Sequence, residues 1–194
     1  MNIELDVQMV NEQSGMEPFE GASADLILAN ELASASGVEV QTDRAEGRQR
    51  QISAKICIPY SNDQVWQILT DYDHLADFIP NLAKSRRISH PNNGIRIEQI
   101  GTQSLLKLKF CARVVLDMVE RFPHRLDFEM VEGDFKKFSG SWLLQPIEDG
   151  TELSYVVSVL PPLAMPVGMI EKRLKGGLVL NLSAIRSRAE VLYG

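Results

Sequence analysis

Cysteine is scarce in this chain: Cys57 and Cys111 are the only two among 194 residues. Neither has a CxxC partner or a nearby histidine at metal spacing, so a disulfide framework is excluded and a reduced, cytoplasmic protein is expected. Lysine and arginine are absent before Arg44, which removes the basic n-region of a secretory signal and the basic character of a transit peptide. Long apolar runs are missing too. The longest uncharged stretch is the eighteen residues from Leu153 to Ile170, and Pro161, Pro162 and Pro166 interrupt it, which suits strand, turn and helix start better than a membrane span. There is no Gly-x-Ser-x-Gly elbow, Walker loop, HExxH or dinucleotide fingerprint. Asp71, Asp73 and Asp77 lack the glycine and terminal glutamate of a calcium loop, and helix capping accounts for them. No metal and no cofactor is expected.

Charge is present but unevenly placed. Residues 1–50 carry ten acidic and three basic side chains, a net of −7, while the remainder carries 16 acidic and 17 basic, a net of +1. The acidity therefore belongs to an N-terminal extension, and a nearly neutral remainder argues against nucleic acid as a partner, since phosphate binding rests on clustered Lys and Arg. Residues 1–50 are rich in Glu, Asp, Ser, Ala and Gln, with only Ala24 to Ala33 apolar enough for a short helix. A largely flexible extension is expected there, followed by one folded domain over residues 51–194.

From Gln51 the pattern changes. Ile52, Ala54, Ile56 and Ile58 alternate with polar residues, the period of a half-buried strand. Pro59 closes it, and Ser61 with Gln64 supplies a capping box for a helix whose apolar face is Val65, Ile68, Leu69 and Tyr72. A second short turn over Asp73 to Phe78 ends before Pro80. Five or six further strands follow. The clearest runs from Leu106 to Met118, and others place Leu126, Phe128 and Met130, then Phe138, Gly140, Trp142 and Leu144, then Leu153, Tyr155, Val157 and Val159 on one face. Asn92-Asn93-Gly94, Gly133-Asp134 and Asp149-Gly150 supply turns for antiparallel hairpins. A long terminal helix starts after Pro166, with an apolar stripe of Ile170, Leu174, Leu178, Leu182, Ile185, Ala189 and Leu192. Periodicity alone thus predicts an α+β fold, an antiparallel sheet covered by a terminal helix.

Three segments, Val65-Trp66-Gln67-Ile68-Leu69-Thr70-Asp71-Tyr72, Phe78-Ile79-Pro80-Asn81-Leu82 and Gly133 through Trp142, carry a resemblance. In this order, and followed by the helix through Asn181-Leu182-Ser183-Ala184-Ile185, they resemble the START-like (SRPBCC) superfamily, in its coenzyme-Q-binding and polyketide cyclase/dehydrase branch. The resemblance covers about Gln51 to Glu190. It implies a helix-grip fold, a strongly curved antiparallel sheet wrapped around the long helix, and an internal cavity between the two. It brings no invariant catalytic motif to transfer.

Within that expected cavity, Tyr72, Phe78 and Ile79 sit where family members close one side, although Phe78 and Ile79 equally suit anchoring of the short helix. Phe138 and Trp142 point into the grip, as core or as ligand contacts, and a buried indole N–H needs a partner. Gly140 between them either bends its strand or opens volume. Tyr155 and Asn181 are the polar candidates to orient a carbonyl or hydroxyl. Leu163, Met165 and Met169 form either an adaptable apolar lip or ordinary core. On the terminal helix, Leu174, Gly177 and Leu178 face the ligand, and Gly176 with Gly177 either packs closely on the sheet or leaves room over the cavity. His74, His90 and His124 fall in turns or short helices, where exposed polar roles are expected.

The function expected first is non-catalytic binding or transport of a hydrophobic small molecule, a lipid, quinone or polyketide-like compound, with possible transient membrane contact. Burial of about fifteen methylenes would contribute on the order of 12 kcal/mol, enough against roughly 4 to 15 kcal/mol lost on association. The alternatives are a polyketide cyclase, aromatase or dehydrase using the same cavity, and a ribosome- or protein-interaction module using Lys172, Arg173 and Lys175.

Overall fold

The computed structural model describes residue 31 and residues 33–44, 47–105 and 108–194. Strand β1 (Glu39–Arg44) pairs with β2 (Arg50–Ile58), in which Ile52, Ala54, Ile56 and Ile58 are buried while Gln51, Lys55 and Cys57 face out. Helix α1 (Asn62–Thr70) follows, then a 3-10 turn over Leu75–Asp77. The expected capping box is present: Ser61 Oγ accepts from the Gln64 N–H at 3.4 Å, and Gln64 Oε1 accepts from the Ser61 N–H at 3.0 Å. Six strands come next, β3 (Leu82–Ile88), β4 (Ile95–Leu105), β5 (Leu108–Arg121), β6 (Arg125–Gly133), β7 (Lys137–Ile147) and β8 (Gly150–Leu160), and α2 (Val167–Tyr193) ends the chain.

All eight strands are antiparallel neighbours in the order β1-β2-β8-β7-β6-β5-β4-β3. The sheet is curved and unclosed, with β1 and β3 as its edges. Register shifts at Leu82/Lys84 and Val115/Leu116 mark irregularities of the kind that sharpen bending. Helix α2 lies in the concavity, burying Ile170, Leu178, Val179, Leu182, Ile185 and Ala189. Its closest packing is against β2 and α1. This is the helix-grip arrangement that the resemblance implies. Among the described residues no helix is long and apolar enough to cross a membrane.

Several local expectations need correction. The sheet starts upstream of Gln51, because β1 is an edge strand whose polar composition hides it: Glu39, Gln41 and Asp43 face solvent, and only Val38 beside it is buried. The single strand read over Leu106 to Met118 is the return arm of a β4–β5 hairpin, with Leu106 itself outside the described residues. The helix expected over residues 24–33 falls almost wholly outside them as well. Leu192, at the end of the apolar stripe, is 47% exposed, and Tyr193 is the residue that packs back there, against Tyr60.

Candidate ligand cavity

Because α2 leans on β1, β2 and α1, strands β4, β5 and β6 stand off from it, and the gap is a cavity of about 250 Å³. Alternation aims one parity of each strand into it. Ile97, Gln99 and Gly101 come from β4, and Ala112, Val114, Leu116 and Met118 from β5, with Gln99 paired to Val114 and Gly101 to Ala112. Leu69, Tyr72, Leu75 and Ile79 close one end. Helix α2 contributes Ile170, Arg173, Leu174, Gly177, Leu178, Asn181 and Ile185, positions recurring every three or four residues along one face.

An aromatic wall faces the helix from the other strands. Trp142 and Tyr155 are direct cross-strand partners and stack with centroids 3.6 Å apart and planes 8° from parallel. Phe128 and Phe138 continue the wall at 5.5 Å, and Phe135 stacks on Phe138 at 5.4 Å. Burial pushes the Tyr155 phenol well above its ordinary pKa, and no hydrogen bond reaches its hydroxyl among the described residues. The ring is nonetheless only partly covered, since the cavity leaves one side open. Tyr155 is therefore a neutral donor facing a void.

Tyr72 is engaged differently. Its hydroxyl donates to Glu120 Oε1 at 2.8 Å, and the Arg87 guanidinium lies 5.0 Å from its ring centre. Burial first, and the Glu120 carboxylate second, hold this phenol far above its usual value. Two further polar groups are tied to the sheet edge: Gln99 Nε2 donates to Ser85 Oγ at 3.3 Å, and the Thr102 N–H donates to the Asn81 carbonyl at 2.8 Å. Arg173 is the one charged side chain among the described lining residues, and burial pulls its guanidinium below the ordinary value.

Of the residues singled out from sequence, Tyr72, Ile79, Phe138, Trp142, Tyr155, Leu174, Gly177, Leu178 and Asn181 line this one cavity. Four do not. Phe78 turns away to lie under the Arg188 guanidinium at 5.5 Å from its ring centre. Leu163 is 72% exposed and Met169 39% exposed. Met165 is held at the surface through its carbonyl, which accepts from Arg48 Nη2 at 2.7 Å, while the same nitrogen reaches the Pro162 carbonyl at 3.1 Å. The apolar lip thus gives way to a loop pinned by Arg48.

Neither helix glycine packs closely on the sheet, because a Cβ added at Gly176 or Gly177 meets nothing within 4 Å. Gly140 does the opposite. A Cβ there would collide with the Val156 carbonyl oxygen and come within 2.6 Å of Phe128 Cζ, so close backbone approach explains it. Arg173 leaves the proposed basic patch with Lys172 and Lys175 and turns into the cavity. Its signal was available, since it stands three residues after Ile170 and four before Gly177. Gln99 was missed because β4 mixes glycine and polar residues into its inward parity, although Ile95 and Ile97 begin the alternation. The histidines serve elsewhere: His74 Nδ1 lies 2.7 Å from Asp71, His90 accepts from the Asn92 and Gly94 N–H groups, and His124 lies 3.4 Å from Asn62.

The family described as polyketide cyclase/dehydrase and lipid transport matches residues 58–183, which takes in both walls of the cavity. The chain belongs to that family. Solved structures are similar to it in fold. A STAR-related lipid transfer protein from Xanthomonas axonopodis matches with a TM-score of 0.65 at 16% identity, covering 79% of this chain and 94% of its own. An aromatase/cyclase from a Streptomyces species matches at 0.61 and 16%, covering 73% and 94%. A START superfamily protein from Mycobacterium smegmatis matches at 0.60 and 18%, covering 73% and 98%. Comparison with curated protein sequences finds no match. Membership in the polyketide cyclase/dehydrase and lipid transport family supports hydrophobic-ligand binding, lipid transport or polyketide cyclisation as the kinds of function in play.

Proposed function

We propose that this protein is a carrier or sensor of a hydrophobic small molecule, which it encloses between α2 and the aromatic wall without transforming it. The observation that carries this reading is the lining itself. Among the described residues it contains no carboxylate, imidazole or thiol, the groups that most often exchange protons near neutral pH. Its two phenols are both held upward, away from neutrality. What the wall offers is apolar surface, hydrogen bonds and one cation.

Magnitudes set the size of the cargo. A void of about 250 Å³ holds roughly eight water molecules at ~30 Å³ each. An enclosed body of about eight methylenes contributes roughly 6 kcal/mol, the low end of the roughly 4 to 15 kcal/mol lost on association. The cargo is therefore a compact molecule, or one that projects from the cavity, and polar contacts add to its apolar burial. A cyclase is the second reading, favoured by the unpartnered Tyr155 hydroxyl, a neutral donor able to polarise a carbonyl.

Mass spectrometry of an organic extract, set against the native mass of the intact protein, separates the two. Carriage predicts a stoichiometric passenger recovered unchanged. Turnover of a linear polyketone by the purified protein would replace it with the cyclase reading.

A further inference from the structure

This inference rests on the cavity's binding a small molecule, carried or converted, and names the group by which that molecule is recognised. Phe128, Phe138, Trp142 and Tyr155 make the sheet side of the cavity, and two of these four carry polar atoms. The Trp142 and Tyr155 rings are cross-strand partners, stacked 3.6 Å apart and 8° from parallel, so each holds the other in place. Among the described residues no hydrogen bond reaches the Tyr155 hydroxyl or the Trp142 indole N–H, although such groups find partners when they are buried. A buried donor without an acceptor costs free energy. Packing does not explain the hydroxyl, since a phenylalanine at 155 would stack in the same way. A ligand that supplies the acceptor removes the cost.

The surroundings decide what kind of acceptor fits. Burial alone raises the Tyr155 phenol, and no charged group acts on it. An anion beside this hydroxyl would lose its hydration with no counter-ion to replace it. An indole N–H only donates, and a carbonyl oxygen accepts at two lone pairs while bringing no proton of its own to satisfy. Across the void, the missing side chain of Gly177 leaves a groove on the α2 backbone, where a Cβ would meet nothing within 4 Å. That groove gives the rest of the molecule room. We propose that the ligand is a compact uncharged carbonyl compound whose oxygen accepts from the Tyr155 hydroxyl beside Trp142 and whose apolar body extends toward Gly177. Tyr155 is then the residue that selects among apolar molecules of equal size.

The test uses the full chain with N-phenyl-1-naphthylamine, a neutral fluorophore, displaced by acetophenone or by ethylbenzene. These two differ by a carbonyl in place of a methylene and hardly in size. In Tyr155→Phe, which keeps the ring and its stack, the affinity for acetophenone relative to ethylbenzene is expected to fall about fivefold. The carbonyl stretch of bound acetophenone, carbon-13-labelled and read by infrared difference spectroscopy, is expected at lower frequency in the wild-type protein than in Tyr155→Phe. A merely structural tyrosine would not move it. An unchanged affinity ratio in the folded variant overturns the proposal, and so does an unchanged stretch. Benzoate displacing the probe from the wild-type protein as tightly as acetophenone at neutral pH overturns it as well, and needs no variant to fold. If the probe and both neutral competitors fail to enter the wild-type protein, the cavity-binding reading falls too, whereas entry of both with no effect of Tyr155→Phe removes the carbonyl contact alone.

Discussion

Two glycines that look equivalent in the sequence do opposite work. At Gly140 a Cβ would strike the neighbouring strand's backbone and the Phe128 ring, so Gly140→Ala is expected to destabilise by about 1–3 kcal/mol through overpacking. Its denaturation midpoint should fall accordingly. At Gly177 a Cβ enters open space, so Gly177→Ala should stabilise by about 0.5–1 kcal/mol, read as a higher thermal midpoint. The same methyl group occupies the groove, and Gly177→Leu, which fills it, should abolish uptake of a neutral apolar probe with the circular dichroism spectrum retained. Stabilisation accompanied by loss of binding marks a residue retained for function at a cost in helix stability. Unfolding of Gly177→Ala would instead point to a packing contact there.

At the scale of the element, the outer face of the β3–β4–β5 hairpins is held by charge. Glu98 accepts from Arg113 Nε at 2.8 Å and Arg86 Nε at 2.8 Å, and Lys84 Nζ lies 3.1 Å away. Arg113 first, then Lys84 and Arg86, bring the Glu98 carboxyl down to about 2. In the unfolded chain it titrates near its ordinary value, so the unfolded state takes up the proton first. The network's stabilisation is full above about pH 4.5, fades as pH falls below that, and is gone below about pH 2. Urea midpoints should drop across that window in the wild type, with a shallower drop in Glu98→Gln. An identical slope in both proteins would exclude Glu98 as the acid-sensitive group. On the opposite face, Ser61→Ala removes half of the α1 capping box and should cost about 1 kcal/mol, which tests whether α1, the support on which α2 leans, is set locally.

For the whole molecule, an open cavity and its ligand are linked through stability. A ligand that binds only the folded state at a hundred times its dissociation constant adds about 2.7 kcal/mol. For a chain of this size that is a rise in thermal midpoint of roughly 5–10 °C. A neutral apolar probe that fills the cavity should produce such a rise in the wild-type protein and a much smaller one in Gly177→Leu. The unclosed sheet matters for the same reason. Strands β4 to β6 line the cavity on the side away from β2, so ligand occupation adds a bridge between α2 and that part of the sheet.

Much of this fold is legible from local chemistry. The alternation of Ile52 to Ile58, the Ser61–Gln64 box, the turn residues Asn93 and Gly150 with their positive φ, and Pro166 ahead of α2 each act through neighbours a few residues away. The inward parity of Phe138, Trp142 and Tyr155 follows from the same period of two, so these cavity walls were readable once the strands were. Tertiary structure decided the rest. Ile79 lines the cavity and Phe78 does not, because the chain leaves the 3-10 turn at Phe78 and neighbouring side chains there point to different sides. Leu163 and Met165 belong to a loop whose carbonyls Arg48, more than a hundred residues earlier, grips, and Met169 falls on the outer side of the first turn of α2, beside the buried Ile170. Whether Gly177 and Arg173 meet packing or space depends on how far α2 stands from β4 and β5. Sequence periodicity says which face of an element is turned inward; the distance between two inward faces is a balance of contacts among distant elements, and that distance makes the cavity.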